Sequence, residues 1–238
     1  MSKSILKKIR YIDDDEVDEF IEELIKAKNS NSIGFLNQHG YNLMMENSSA
    51  YDSFMALDYL LRDGIGIKIA CKMRSLDAKG NLNGTDLIPK IVQRILTSCR
   101  PSKFFVYGTQ EPWLTKGTNT LFSGRDVETL DGFQHSDCYR KHFSQKYDVN
   151  ALNVVILAMG MPKQELIAHV LKEVSSCPVL IICGGAIIDF QAGKTKRAPE
   201  IFRKANLEWL YRLFKEPKRM FKRYIIGIPK FFYYLLAR

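Results

Sequence analysis

Three β-rich segments that each end in glycine constrain the fold of this chain most. They are KFFVYG at 103–108, LNVVILAMG at 152–160 and PVLIICGG at 178–185. Helical patterns separate them, including MPKQELIAHVLKEV at 161–174. Apolar strands that alternate with helices are typical of parallel sheets covered on both faces. The sequence therefore predicts an α/β fold with a mostly parallel sheet flanked by helices.

Further helices and one more strand are predicted before the first of these segments. Residues 13–28 run from acids to lysines with apolar residues at helical spacing, which predicts an amphipathic helix. SIGFLN at 32–37 predicts a short buried strand, and residues 41–61 are interpreted as one long helix with an apolar stripe. Another helix is predicted around residues 86–97.

The chain has 238 residues and is 46% hydrophobic, which suffices for one elaborated domain or a domain with an appendage. From residue 199 onward the pattern is helical, with breaks at Pro217 and Pro229. We therefore divide the chain into an α/β core, residues 1–198, and a C-terminal helical appendage, residues 199–238.

The positive charge of the chain is concentrated at its C-terminal end. The net charge is +9, yet from Lys194 onward 13 Lys and Arg stand against 3 Asp and Glu, whereas the remainder has 22 against 23. Such asymmetry indicates that the tail meets a polyanion, either the phosphates of a nucleic acid or an anionic membrane surface.

Two glycine-containing segments do not match nucleotide-binding motifs. A Walker A loop ending in GKT at 193–195 requires a glycine where this chain has Ile188. DGIGIK at 63–68 lacks the third glycine of a dinucleotide fingerprint, with Ile69 in its place, and no clear strand precedes it. We predict neither kind of site.

Metal binding, disulfides and export are also disfavoured by the sequence. The five cysteines are odd in number without C-x-x-C spacing, and no signal peptide is visible. Lys and Arg interrupt every apolar stretch before it could span a bilayer. No repeated ligand spacing connects the four histidines, His39, His135, His142 and His169. We expect no metal and a reducing, cytoplasmic environment.

Candidate ligand-binding residues lie where the predicted strands end. Gly108 and Gly160 end two strands, and free N–H groups after Gly160 suit a diphosphate or a sugar. Gln164 and Glu165 lie in the next helical turn, where they would bind hydroxyls. In the alternative interpretation, Glu165 is a surface acid that complements the helix dipole.

Three further candidates have similar structural alternatives. Gly184 and Gly185 would allow close approach of a ligand, or form a simple tight turn. Arg197 would clamp a phosphate, or be one of many solvated cations. Asp63 would act as a general base, although a helix N-cap is the commoner role for such an aspartate.

The segments GMPKQE, GGAIIDFQAGKTKRAP, NLEWLYRLFKEPKR, DGIGI and NGTDL resemble the WecG/TagA/CpsF family of bacterial glycosyltransferases. The resemblance runs from about residue 32 to the C-terminus. It implies a Rossmann-like α/β fold with a membrane-contacting helical appendage. It also implies inverting transfer of a hexose, hexosamine or uronic acid from a UDP-sugar to a polyprenyl-diphosphate-linked saccharide, without a metal or other cofactor. Such enzymes build teichoic acid, capsule and exopolysaccharide.

The resemblance also assigns roles to residues near the N-terminal strands. Asp63, followed by Gly64, matches the acid of the D-G-x-G motif, which takes the proton of the acceptor hydroxyl. Asn37 and His39 fall where the family has a T-P-N-like segment near the donor sugar. That difference leaves the identity of the sugar open.

Other matches concern the donor nucleotide and its diphosphate. Gln164 and Glu165 match the P-K-Q-E turn, whereas Gly184, Gly185 and Asp189 match a turn and acid on the uridine side.

Asp86 matches the acid of R-x-x-G-x-D-L, but Asn81 stands where that motif has arginine. Lys72, Arg74 or a cation of the tail would have to compensate for the missing arginine.

The resemblance also implies roles for cations at and after the junction with the tail. Arg197 lies where the core joins the tail, and Arg212, Arg219 and Arg223 are candidates for the lipid-linked diphosphate. Aromatic residues interleave with cations there, as in segments that lie at a membrane interface. We therefore expect a cytoplasmic protein held peripherally at the inner face of the membrane.

A basic-tailed nucleic-acid-binding α/β protein is the alternative, although no RNA-binding signature accompanies the charge. The expected partners are thus a UDP-sugar, the lipid-linked saccharide and anionic lipid, with no nucleic acid. Loss of the appendage would expose apolar surface and favour a homo-oligomer.

Overall fold

A six-stranded parallel sheet forms the centre of the protein. The computed structural model describes residues 2–237. The strands are β1 Asn31–Leu36, β2 Tyr59–Arg62, β3 Ser102–Gly108, β4 Glu128–Leu130, β5 Leu152–Ala158 and β6 Val179–Cys183. Their order is β2-β1-β6-β5-β3-β4, and every pairing is parallel. The predicted α/β fold is confirmed.

Helices cover both faces of this sheet and form the tail. Those of the core are α1 Ser2–Lys8, α2 Val17–Lys26, α3 Gln38–Glu46, α4 Ser48–Ala56, α5 Ile65–Met73, α6 Gly84–Leu96, α7 Trp113–Leu121, α8 Ser136–Lys146, α9 Lys163–Val174 and α10 Ile187–Gln191. Those of the tail are α11 Glu200–Lys204, α12 Glu208–Lys215, α13 Pro217–Phe221 and α14 Gly227–Leu236, with a π turn, Lys222–Ile226, between the last two.

The sheet separates two apolar cores. Along β5, Val155 and Leu157 belong to one core, whereas Val154 and Ile156 belong to the other. This alternation follows from the two-residue period of a strand. One face carries α3, α4, α8 and α9, and α14 packs on α3; the other carries α2, α6, α7 and α10. Burial on both faces explains why β3, β5 and β6 are almost continuously apolar.

The interpretation of residues 41–61 as one helix is wrong. Asn47 is extended (φ −139°, ψ 119°), and it ends α3 while its side chain accepts from the Ala50 N–H at the start of α4. The residues after α4 then form β2, which pairs with β1. Strand β2 therefore directly precedes DGIGIK, contrary to the sequence interpretation.

Two helix boundaries also differ from the prediction. The helix predicted over residues 13–28 begins at Val17 and ends at Lys26. No break occurs at Pro229, which lies within the first turn of α14. Proline is tolerated there because the first N–H groups of a helix lack partners within it.

All six strands point the same way, so their carboxyl ends meet at one edge of the sheet. Asn37 follows β1, Asp63 follows β2 and Gly184 follows β6. The chain leaves β3 towards the edge strand β4 but leaves β5 in the opposite direction towards β6. In open α/β sheets, ligands bind at this edge, near such reversals.

Candidate active site

A cavity of about 490 Å³ lies between the ends of β1 and β2 and the appendage. The core contributes its floor, with Asn37 and Asp63 from the strand ends and Thr85 from α6. The appendage contributes the opposite wall, which is charged and aromatic and includes Arg203, Glu208, Trp209, Arg212, Arg223 and Tyr224. The cavity therefore exists only where core and appendage meet.

Asp63 is held at the floor of this cavity by backbone and side-chain contacts. Its N–H donates to the carbonyl of Leu36 (2.9 Å), and its Oδ2 accepts from Nδ2 of Asn37 (3.2 Å). Burial raises the pKa of Asp63, against the opposing influence of the Asn37 hydrogen bond and of the nearby Arg223 and Arg212 charges. A carboxylate with a raised pKa is a stronger base. Asp63 is not a helix cap, because Gly64, at φ +85°, occupies the cap position of α5.

Asn37 orients Asp63 because both ends of its amide are engaged. Its Oδ1 accepts from the N–H groups of His39 (3.1 Å) and Gly40 (3.2 Å), which caps α3. Its Nδ2 is left to face Asp63. Burial and the charge of Arg223 lower the pKa of His39 to about 4, so its imidazole is neutral at pH 7. His39 lies beside the cavity and does not line it.

Two arginines of the appendage bring positive charge to the cavity. Arg212 and Arg223 line it, and the Nε atom of each is buried without a hydrogen-bond partner among the described residues. Buried donors are almost always paired, so these N–H groups indicate a place for an anion. Arg219 is placed differently: it is exposed, pairs with Glu216 (2.6 Å) and does not line the cavity.

The residue that stands where the family motif has an arginine also lies at this cavity. Asn81 lines it, and its Oδ1 accepts from the N–H of Gly64 (2.7 Å). Arg74 is engaged elsewhere, because it donates to the carbonyl of Leu235 (2.7 Å). Lys72 lines a separate surface hollow. The cations that reach the cavity are therefore those of the tail.

Arg197, two residues before the tail begins, forms an ion pair with Asp86 of α6. The two guanidinium nitrogens of Arg197 lie 2.5 and 2.6 Å from the carboxylate oxygens of Asp86 in the first turn of α6. This hydrogen bonding holds the pKa of Asp86 below its usual range. Neither residue lines the cavity. Arg197 is thus neither free to clamp a phosphate with its terminal nitrogens nor merely solvated.

A second polar group lies at the ends of β5 and β6. Gln164 Oε1 accepts from the N–H of Gly185 (2.9 Å), and its Nε2 donates to Glu165 Oε1 (2.7 Å). Glu165 is completely buried, so the surface-acid interpretation is wrong. Burial raises its pKa to about 7, partly offset by the Gln164 hydrogen bond. Oε2 of Glu165 has no partner among the described residues.

The strand-end glycines differ in the space around them. A Cβ on Gly108 would lie 2.2 Å from the carbonyl oxygen of Ala158, and one on Gly184 would lie 2.7 Å from Cγ2 of Ile187. These two glycines allow close packing within the protein. Gly160 and Gly185 face open space, so a ligand can approach their backbone.

Asp189 lies at the far side of the sheet edge from Asp63. It accepts from Oγ1 of Thr109 (2.6 Å) and from Nζ of Lys194 (3.1 Å). Thr109 follows β3 directly, at the point where the strand order reverses. Sequence reasoning missed Thr109 and Lys194, although the strand-end glycine before Thr109 signalled its place.

The structure also bears on metal binding and on membrane insertion. Among residues 2–237, no group of three His, Cys, Asp or Glu side chains is arranged to hold a metal ion. Over the same residues, no helix combines the length and apolar character that crossing a bilayer requires.

Comparison with known proteins assigns the chain to a class of enzymes. Residues 5–238 match the model of the glycosyl transferase WecG/TagA/CpsF family, and the chain belongs to that family. It is therefore a glycosyltransferase, as the sequence motifs predicted.

Two curated relatives carry the same descriptive name, N-acetylglucosaminyldiphosphoundecaprenol N-acetyl-beta-D-mannosaminyltransferase. The one from Bacillus spizizenii strain W23 is 26% identical over 190 residues, which cover 79% of this chain and 71% of the relative. The one from Bacillus subtilis strain 168 is 25% identical over 182 residues, which cover 76% and 69%.

Proposed function

We propose that this enzyme transfers a sugar, with inversion, from a UDP-sugar to a saccharide carried on a polyprenyl diphosphate. The observation that carries the proposal is one cavity in which the carboxylate of Asp63 lies near two guanidinium groups with unpartnered N–H donors. The names of both relatives specify an N-acetylglucosaminyl-diphosphoundecaprenol acceptor and an N-acetylmannosaminyl group. An acceptor of that kind and a UDP-linked hexosamine are the substrates to test first.

The proposed reaction is a single displacement at the anomeric carbon. Asp63 accepts the proton of the acceptor hydroxyl while that oxygen forms the new bond to the anomeric carbon. The bond from that carbon to the diphosphate breaks on the opposite face, and UDP departs with the electron pair. Arg212 and Arg223 stabilise the negative charge that develops on the departing diphosphate.

The Asp189 side of the sheet edge is proposed to hold the nucleotide. Gly160 and Gly185 present approachable backbone there, and Gln164 fixes the turn at Gly185. Asp189, held by Thr109, offers a second carboxylate oxygen to hydroxyl groups of the ribose. The diphosphate would then extend along the sheet edge towards Asp63.

The exposed surface of the appendage is proposed to contact anionic lipid. Large apolar side chains are exposed on this surface, among them Phe214 (74% exposed) and Phe221 (54% exposed). Exposed Lys215, Lys218 and Lys222 lie beside them in the sequence. Each such cation contributes about 1 kcal/mol near an anionic surface. This arrangement would bring the cavity to its lipid-linked substrate.

A donor screen tests the proposed activity. The purified chain is mixed with an N-acetylglucosaminyl diphosphate on a short polyprenyl chain and, in turn, the UDP-linked forms of N-acetylmannosamine, its uronic acid, glucuronate and glucose. We expect one donor to give a disaccharide product by mass spectrometry, together with stoichiometric UDP. The matched control is Asp63→Asn, which keeps the size of the side chain but removes the base. Absence of product with every donor, together with no UDP binding by calorimetry, would refute the proposal.

A further inference from the structure

The helix that carries Arg223 is interrupted by a π turn at that residue. In this turn the N–H of Gly227 donates to the carbonyl of Lys222, five residues back, instead of only to closer carbonyls. Single π turns within helices are frequent at functional sites because they change the direction of nearby side chains. Arg223 lies in the turn and reaches the cavity from it.

Helix α3 donates two side-chain hydrogen bonds to carbonyls of this segment. Asn42 Nδ2 lies 2.7 Å from the carbonyl oxygen of Gly227, and Gln38 Nε2 lies 3.3 Å from that of Arg223 itself. Gln38 and Asn42 are four residues apart and thus share one face of α3. Gly227 permits the close approach, since a Cβ there would lie 2.7 Å from Nε2 of Gln38.

The contact of Asn42 lies at the residue where the π turn ends and α14 begins. Its side chain is buried, and its amide oxygen has no donor within the part of the chain that the structure describes. A buried amide that makes a single hydrogen bond loses more hydration than that bond returns, so packing alone does not favour asparagine at this position. The hydrogen bond to the Gly227 carbonyl is the contact that explains the residue.

The same helix also determines where Asp63 lies. Its cap residue, Asn37, donates to Asp63, while its next turns hold the segment that carries Arg223. One rigid element therefore connects the candidate base to a guanidinium on the opposite wall of the cavity. Any shift of α14 on α3 would change the distance between these two groups.

We infer that Asn42, assisted by Gln38, is a positioning residue that aims Arg223 into the cavity by holding the π turn. It acts through Arg223 and does not touch the substrate. The inference rests on the proposed function in one respect, namely that Arg223 meets the departing diphosphate.

A double-mutant cycle tests whether Asn42 acts through Arg223. We expect Asn42→Ala to lower kcat about tenfold, with KM for the UDP-sugar changed less than about twofold, because displacement of a charge-stabilising group weakens the transition state most. In an Arg223→Ala background, Asn42→Ala should have no further effect on kcat. Equal losses in both backgrounds would overturn the inference, since they would mean a general structural role.

A matched control perturbs the same helix pair at another point. Lys230→Met removes an ion pair between α14 and Glu46 of α3 (2.8 Å) without touching the π turn. We expect kcat of this variant to stay within about twofold of the wild type. A loss as large as that of Asn42→Ala would also overturn the inference.

A spectroscopic measurement separates this inference from the proposed reaction. The Nε–Hε resonance of Arg223, assigned by its loss in Arg223→Lys, should be protected from exchange in the wild type. It should move and exchange faster in Asn42→Ala. Gly227→Ala, whose Cβ would lie 2.7 Å from Nε2 of Gln38, should have the same effect by disturbing the neighbouring contact, and it serves as the second variant if Asn42→Ala folds poorly. An unchanged resonance in both variants refutes the positioning role. A wild type that transfers no sugar refutes the proposed function but leaves this test intact.

Discussion

Replacement of Glu165 with glutamine should change how the stability of the protein depends on pH. Glu165 is fully buried, and one of its oxygens has no partner among the described residues. Its pKa is about 7 in the folded protein, against 4.5 for an ordinary glutamate. Glutamine preserves the shape, and its oxygen can still accept from Gln164, but it does not ionise.

The direction of the effect follows from proton linkage. Below pH 4.5 the carboxyl is protonated in both the folded and the unfolded chain, and its ionisation costs no stability. As the pH rises towards 7, the unfolded chain releases a proton that the folded chain retains, so the free energy of unfolding falls. Well above pH 7 the carboxyl is ionised in both the folded and the unfolded chain, so the free energy of unfolding no longer changes through this group. The difference between a folded pKa of about 7 and an unfolded pKa of 4.5 corresponds to about 3 kcal/mol, most of which develops between pH 5 and pH 8.5.

Urea unfolding of the wild type and Glu165→Gln at pH 5 and pH 8.5 measures this quantity. Between pH 5 and pH 8.5 we expect the free energy of unfolding of the variant to rise by roughly 2 to 3 kcal/mol relative to that of the wild type. The control is Glu19→Gln, which removes an exposed carboxylate on α2 and should show no comparable change. A stability difference for Glu165→Gln that is the same at both pH values would refute the assignment of a buried, ionising carboxyl.

Three further predictions concern the base, the strand-end glycines and the membrane surface. Asp63→Asn should fold normally and lose at least about 10³-fold in kcat. In the wild type, the pKa that governs the acid limb of the kcat–pH profile should lie above the usual range of an aspartate, because burial raises the pKa of Asp63. Substantial turnover by the variant would remove Asp63 as the base. Gly108→Ala should lower the melting temperature strongly, because its Cβ would lie 2.2 Å from a backbone oxygen. Gly160→Ala should fold normally and weaken UDP binding in calorimetry, because Gly160 faces open space. A less stable Gly160→Ala than Gly108→Ala would contradict these assignments. Phe221→Ser, which removes an exposed aromatic side chain, should reduce flotation with anionic liposomes; unchanged flotation would place the lipid contact elsewhere.

The fold was largely predictable because buried parallel strands leave a strong sequence pattern. Strands β3, β5 and β6 are apolar on both faces and were found at nearly their observed bounds. Strand β2 was missed, since four residues after an apolar helix continue the helical spacing by chance. The break between α3 and α4 at Asn47 depends on a side-chain cap that the composition of the segment did not reveal.

The site was predictable only in part, because several of its contacts join distant residues. Motifs pointed to Asp63 and to Gln164, which lie at strand ends. The pairing of Asp86 with Arg197 joins residues 111 positions apart, and no local pattern predicts it. The sequence likewise gave no reason to separate Arg219 from Arg212, since both are cations on an amphipathic tail. Arg212 on α12 lines the cavity, whereas Arg219 on α13 is exposed and pairs with Glu216, and this difference depends on how the tail packs against the core.

The appendage also bears on the temperature at which this enzyme stops working. Helices α11 and α12 have five and eight residues and contain no buried residue, yet the segment from Arg203 to Arg212 supplies much of one wall of the cavity. Helices of that length are not stable on their own in water. On heating, this wall should melt while the two apolar cores around the sheet are still intact. We therefore expect catalysis to be lost on heating some degrees below the global unfolding of the sheet.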